Sequence, residues 1–317
     1  MAAAVVAEAA RLAERIQREL VTPALVKGDK SPVTVADFAV QALVAARIDR
    51  FLDGAILVGE ECADVLRTNE GRETLELVTH FVRTAIPDAT SEDVCHWIDR
   101  GSAEPAEEFW TLDPVDGTKG FLRREQYAVA LALVRNGRVE VGVLGCPELP
   151  GESEERGILL TAVRGSGSWW VPLGRLEPPM STLTVSALSD PHQARLLRSV
   201  ESGHTDIGGI DELLAALGSA APPLPMDSQA KYAVLASGGG ELVVRMLSPE
   251  RPHYREKIWD QAAGSILVQE AGGRVTDLDG KPLDFSHGRT LAANRGVLAT
   301  NSHLHEAAIA AIRAVSA

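Results

Sequence analysis

The sequence is short of several things, and each shortage closes off a class of protein. Cysteine is scarce: Cys62, Cys95 and Cys146 are odd in number, widely spaced and form no CxxC pair. Neither a disulfide framework nor a zinc knuckle fits that pattern, and a reducing compartment does. Long apolar runs are missing, the longest candidate being Tyr127 to Val134, well below the roughly 18 residues of a membrane span. Basic residues are in deficit, 31 Lys and Arg against 44 Asp and Glu for a net charge of −13. That balance argues against electrostatic capture of nucleic-acid polymers or anionic lipid, so an anionic substrate needs a local cationic site. No basic segment precedes an apolar one at the start, where Glu8, Glu14 and Glu19 interrupt the Ala and Val residues, and serine is absent before Ser31. The expectation is a cytoplasmic protein without a leader.

What is present suits a globular chain: 317 residues, 45% hydrophobic and 24% charged, enough for two lobes. Val5, Ala9, Leu12, Ile16 and Leu20 recur at helical spacing. Lys27 to Val33 reads as a loop, and Thr34-Val-Ala-Asp37 as a capping box opening a second helix to about Leu52. Ala55 to Val58 reads as a strand delivering Glu60 and Glu61 to a loop, and Arg72–Thr84 and Glu92–Asp99 as peripheral helices. Tyr127–Val134, Arg138–Cys146 and Gly157–Val163 read as neighbours in an antiparallel sheet, with Asn136-Gly137 as a hairpin turn. Gly151–Arg156 reads as a solvated acidic loop and Gly174–Pro179 as a linker. Beyond it, strands alternating with helices predict an α/β second lobe, with Gly238-Gly239-Gly240 ending a helix before a strand. The division expected is an α+β lobe over 1–177 and an α/β lobe over 178–317.

The informative pattern is acids placed directly after apolar strands. Glu60 and Glu61 follow one, and Asp113 and Asp116 follow Phe109–Leu112. Asp113-Pro-Val-Asp-Gly-Thr118 reads as a tight turn able to aim two carboxylates and a backbone carbonyl at one point. Hard oxygen donors of that kind select Mg²⁺ or Mn²⁺ over zinc. Taken singly, such acids are ordinary turn residues; Asp260, ahead of an apolar helix at Ala262-Ala-Gly264, is by itself a helix cap, Lys231 a surface lysine and Arg245 a strand-edge charge.

Together, Gly59-Glu60-Glu61, Asp113-Pro-Val-Asp-Gly-Thr118 and Trp259-Asp260 with Ala262-Ala-Gly264 resemble, in this order, the lithium-sensitive, magnesium-dependent superfamily of inositol monophosphatase and fructose-1,6-bisphosphatase. Ser31-Pro-Val-Thr34, Asp37, the extension to Arg123, Glu125 to Val129, Asp227-Ser-Gln-Ala-Lys-Tyr232, Glu256-Lys-Ile-Trp-Asp260, Pro282-Leu-Asp-Phe285 and Gly288-Arg-Thr-Leu291 are similar to its 3'(2'),5'-bisphosphate nucleotidases. The resemblance implies a layered αβαβα sandwich with metals between two lobes. The implied reaction is removal of the 3'-phosphate of adenosine 3',5'-bisphosphate, and of its sulfated form.

Residue by residue, the resemblance assigns Glu60, Asp113, Asp116, Asp260 and the Val115 carbonyl to two or three Mg²⁺. It assigns Asp37 and Thr118 to orienting and deprotonating the attacking water, and His204, Ser228, Lys231 and Arg245 to the adenosine monophosphate part. Glu61 either supports a ligand or is simply solvated. On a helix start, Ser228 and Lys231 would share a face. Two departures stand out: Gln261 where these nucleotidases commonly have His, and His204-Thr-Asp206 without a second His. Two other readings remain at this point, an inositol phosphate or sugar bisphosphate phosphatase with the same metal core, and a silent nucleotide-binding protein; the complete water-activating set argues against the latter. The chain is expected to work as a monomer on a small nucleotide.

Overall fold

The computed structural model describes residues 1–21, 31–151, 156–175, 180–200, 207–247, 251 and 253–315. Helices α1 (Ala2–Leu20) and α2 (Ser31–Phe51) pack together, with α3 (Arg72–Arg83) and α4 (Ser91–Asp99) against α2. Val5, Ala9, Leu12 and Ile16 are all buried, as their spacing predicts. Helix α2 starts before Thr34, with Pro32 in its first turn, where a missing N–H is harmless. The capping box expected at Thr34–Asp37 is therefore interior helix, and Asp37 projects from the helix wall rather than its end.

These helices cover one face of a seven-stranded sheet in sequential order. Its strands are β1 (Leu57–Gly59), β2 (Glu108–Asp116), β3 (Ala128–Arg135), β4 (Arg138–Pro150), β5 (Arg156–Val163), β6 (Gly167–Pro172) and β7 (Ser181–Thr182). β1 runs parallel to β2 and the other pairs are antiparallel. Period-two alternation sorts the side chains: Leu112, Leu131, Val143 and Leu159 join the helices' core, while Phe109, Ala130, Leu144 and Leu160 join the core behind the sheet. Asn136 and Gly137 both have positive φ, 50° and 70°, which makes the hairpin turn read from sequence.

One expectation fails here in an instructive way. Asp113-Pro-Val-Asp is not a tight turn; it belongs to β2. Asp113 pairs with Ala130 and Asp116 with Ala128, so β2 carries one extra residue and bulges. Pro114 sits inside that irregularity, where no ladder N–H is demanded. Helix α5 (Thr118–Arg123) follows at once.

The far side of the sheet is covered by α7 (Ala230–Ala236) and α8 (Ala262–Glu270). Behind them lies a second sheet, in which β10 (Leu242–Arg245), β12 (Val297–Thr300) and β11 (Arg274–Thr276) are antiparallel in that order. β8 (Leu197–Arg198) pairs in parallel with β9 (Leu224–Pro225), and a Leu196–Leu242 bridge joins this pair to β10. Helices α6 (Ile207–Leu217) and α9 (His305–Val315) close the outer face. The layers thus run αβαβα, as expected, with strands and helices alternating in the latter part of the chain. Gly238, at φ 75°, ends the segment after α7 and before β10, as read. The acidic loop after Gly151 and the linker before Met180 fall largely outside the described residues.

The packing of helix α8 depends on two glycines, Gly142 across from it on β4 and Gly264 within it. A Cβ at Gly142 on β4 would lie 2.4 Å from Ile266 Cγ2, and one at Gly264 would lie 2.2 Å from the Tyr232 ring. In a core packed to crystal-like density, neither position admits a methyl without moving the helix.

Candidate active site

Parallel pairing of β1 with β2, Gly59 opposite Leu112, sets the ends of the two strands side by side. Glu60 and Glu61 leave one end and Asp113 occupies the other. The bulge then sets Asp116 as the last residue of β2. Asp260 arrives from the opposite side, after buried Trp259 and just ahead of α8. A cavity of about 510 Å³ opens between these elements, with Glu60, Asp116, Thr118 and Asp260 on one wall and Ser228, Lys231 and Arg245 on another. Asp37 and Asp113 stand behind the first wall, Asp113 being 2% exposed.

The acids act on one another. Burial pushes Asp113 well above the usual carboxylate range, and Glu60, Asp116, Asp260 and Asp37 add to the rise. Asp260 is raised by burial and then by Asp116, Glu256 and Glu60, with Arg245 opposing. Asp37 keeps partial solvent access, yet burial of its carboxyl, Glu61 and Glu60 raise it strongly. Glu60, at the solvent edge, is pushed up to about 7 by burial, Glu61 and Asp116 against the opposing charge of Lys257. Burial alone raises Glu61, which supports neither of the two roles left open for it over the other.

Asp113 Oδ1 is buried with no hydrogen-bond partner, although a buried acceptor normally has one. An orphaned carboxylate oxygen among acids that raise each other's proton affinity fits a hard divalent cation. Among the described residues no group of three or more His, Cys, Asp or Glu side chains is already gathered tightly enough to hold an ion. Closing these like charges around one point requires a cation to offset their repulsion.

The opposite wall is built on the turn before α7. Ser228 has φ 63°, left-handed for a non-glycine residue, and this lets the Gln229 N–H donate to Asp116 Oδ2 at 2.5 Å. The Gln229 side chain, buried, donates to the Trp259 carbonyl at 3.0 Å and accepts from Gly264 N–H at 3.1 Å. Gln229 therefore links the bulge of β2 to the Asp260 turn, a role that sequence reading missed because both partners lie far along the chain. Since α7 begins only at Ala230, Ser228 and Lys231 do not share a helix face; they meet by lining one cavity.

Lys231 is 6% exposed, and burial together with Arg245 pushes it down to about 8 against Asp116 and Asp227. Arg245 extends from β10 toward Glu256, Nη2 to Oε2 at 3.3 Å. Burial opposes its charge, but Glu256 and Asp260 outweigh that and hold it protonated. Its Nε is buried without an acceptor, a donor left for an anion. Gln261 donates to Glu256 Oε2 at 3.0 Å and accepts from Tyr232 Oη, so the residue standing in place of His is part of Arg245's support. His204 lies outside the described residues.

The family model for the inositol monophosphatase family matches residues 1–317. The chain belongs to the inositol monophosphatase family. It is 40% identical to a 3'(2'),5'-bisphosphate nucleotidase of Schizosaccharomyces pombe, covering 100% of this chain and 95% of that protein. It is 39% identical to a 3'(2'),5'-bisphosphate nucleotidase of Oryza sativa, covering 96% and 90%. Among solved structures, the IMPase of Thermotoga maritima superposes with a TM-score of 0.64 at 18% identity over 99% of this chain and 96% of that one. CysQ of Bacteroides thetaiotaomicron gives 0.62 at 18% identity over 94% of both. These superpositions show the fold. No helix among the described residues is long and apolar enough to cross a membrane.

Proposed function

We propose that this chain is a Mg²⁺-dependent phosphomonoesterase that removes the 3'-phosphate of adenosine 3',5'-bisphosphate, and of its 5'-phosphosulfate form, to give the 5'-nucleotide and inorganic phosphate. The observation that carries this reading is one cavity that sets carboxylates raised by burial and by neighbouring acids against the cations Lys231 and Arg245. Relatives at 37–40% identity are named 3'(2'),5'-bisphosphate nucleotidases, which supports it.

Glu60, Asp113, Asp116, Asp260 and the Val115 carbonyl would hold two or three Mg²⁺. Bound there, the ions supply Lewis acidity for in-line displacement at phosphorus. Thr118 Oγ1, at the head of α5, orients the attacking water, and the raised basicity of the Asp37 carboxylate suits it to accept the proton. Ser228, Lys231, Arg245 and His204 hold the nucleotide. Lys231 and Arg245 together provide the local cationic site that an acidic protein needs to capture an anion. We further read the chain as a monomer in the cytoplasm, with lobes over 1–177 and 178–317, since one chain supplies both walls.

The test is phosphate release from adenosine 3',5'-bisphosphate, its sulfated form, inositol 1-phosphate, inositol 1,4-bisphosphate and fructose 1,6-bisphosphate, with and without Mg²⁺. Mg²⁺-dependent preference for the two nucleotides is expected. Preference for an inositol or fructose phosphate would overturn the nucleotide reading and leave the metal reading standing.

A further inference from the structure

The Gly59–Glu60 turn and the Trp259–Asp260 turn come from distant parts of the chain, and one side chain touches both. Arg289, between β11 and β12, donates through Nη1 to the carbonyls of Gly101 at 3.1 Å and Ala103 at 3.0 Å, and through Nη2 to the carbonyl of Gly59. Its guanidinium also lies over the Trp259 ring, 5.0 Å from the centroid. The backbone reinforces the join: Ile258 N–H donates to the Arg289 carbonyl at 3.3 Å, and Lys257 bridges to Thr290. No carboxylate is bonded to Arg289 among the described residues.

The other side of the Glu60 turn is equally constrained. Buried Gln41 accepts from Glu61 N–H at 3.0 Å and donates to the carbonyls of Glu61 and Ile98, both at 2.7 Å. A Cβ at Gly59 would lie 2.5 Å from Gln41 Oε1, and one at Gly101 2.4 Å from Gln41 Nε2. Glu60 is thus carried between Glu61, tied to Gln41, and Gly59, tied to Arg289.

We infer that Arg289 is a positioning residue that fixes the separation of Glu60 from Asp260 and so sets the affinity of the carboxylate wall for divalent cations. This rests on the metal reading proposed above. The role needs the shape of the side chain more than its charge. A planar fork with five donors reaches several carbonyls at once while stacking on an indole, whereas an ammonium offers donors from a single point. The cation whose charge acts on the Glu60 carboxyl is Lys257.

The test is Mn²⁺ binding to the purified full chain without substrate, followed by the electron paramagnetic resonance of free Mn²⁺, for wild type, Arg289→Lys and Arg289→Ala. Thermal melts in chelator accompany each. Arg289→Lys, with charge and stem retained, is expected to melt close to wild type but bind Mn²⁺ about 10–100-fold more weakly, the usual effect of losing a partner that orients ligands. Folded Arg289→Lys with wild-type Mn²⁺ affinity would overturn the inference. If Arg289→Ala does not fold, Arg289→Lys decides alone. A wild-type chain that binds no Mn²⁺ would remove the metal reading and this inference together, whereas substrate preference has no bearing on the outcome.

Discussion

On the carboxylate wall of the cavity, burial and neighbouring acids raise the proton affinity of Glu60, Asp113 and Asp260, while burial raises Asp116 against Lys231 and Arg245, and a buried oxygen of Asp113 lacks any donor. On the facing wall the cations already have partners: Arg245 has Glu256, held in turn by Gln261, and Lys231 has Asp227 nearby as well as Asp116 of the opposite wall. One wall is an unbalanced set of acids that a cation can complete. The other is a braced set of donors with capacity to spare for an anion. A phosphate ester of a nucleotide, with metal at one end and an anion at the other, is the substrate class that suits such a contrast.

The contrast can be broken most severely at the acid wall. Asp113→Asn keeps volume and removes a charge from the centre of the cluster. Turnover is expected to fall by at least about a thousandfold, since metal stabilisation of the transition state is worth several kcal/mol. The variant should remain folded by circular dichroism. Near wild-type turnover at saturating Mg²⁺ would take Asp113 out of the cluster.

Neutralising the cationic wall should do something different in kind. Arg245→Ala and Lys231→Ala are each expected to lower kcat/KM for adenosine 3',5'-bisphosphate about tenfold to a hundredfold, mainly through KM, as loss of a charge-assisted contact of roughly 1.5–3 kcal/mol implies. Hydrolysis of a minimal phosphate ester without the adenosine part should change much less. Equal losses on both substrates would show that the two walls do not divide the work.

The smallest effect sharpens the comparison through pH. Between pH 6.5 and 8 the metal-free native protein retains a proton on Glu60, pushed up to about 7, that the unfolded chain has released. Stability should therefore fall as pH rises across this window. His305, pushed down to about 4 by burial, acts in the opposite sense mainly below the window, and Lys231, at about 8, mainly toward and above its upper end. The expected drop in Tm is a few degrees, on a scale of about 2–4 °C per kcal/mol for somewhat smaller domains. Mg²⁺ should raise Tm more at pH 8 than at pH 6.5, and a Tm insensitive to both pH and Mg²⁺ would count against an unbalanced acid wall.

The two walls were unequally legible in the sequence. Acids after apolar strands are a local signal for Glu60, Asp113 and Asp116, even though Asp113-Pro-Val-Asp is a strand bulge rather than a turn, whereas Asp260, locally a helix cap, was joined to them only by the family resemblance. A register shift depends on the partner strand, which no local window contains. Likewise the Thr34–Asp37 capping pattern was real as a pattern but was overridden by Pro32, which starts α2 earlier. Gln229 and Arg289 fall within stretches that carry the family resemblance, but their roles and that of Gln41 were hidden because their partners are mostly backbone atoms across long spans of chain. A side chain that reads carbonyls far away looks, in sequence, like any polar surface residue.

The close packing of α8, through Gly142 of β4 beneath it and its own Gly264 against Tyr232, has a consequence for anyone scanning this protein by substitution. Asp260 is delivered by the turn that enters this helix, so a methyl group at either glycine would displace a carboxylate that it never touches. Loss of activity at such sites would look, in a mutational map, like the signature of residues in contact with the substrate. Only a scan that records protein abundance and metal affinity beside activity would separate the two, with Gly142 and Gly264 marking where the map and the chemistry part company.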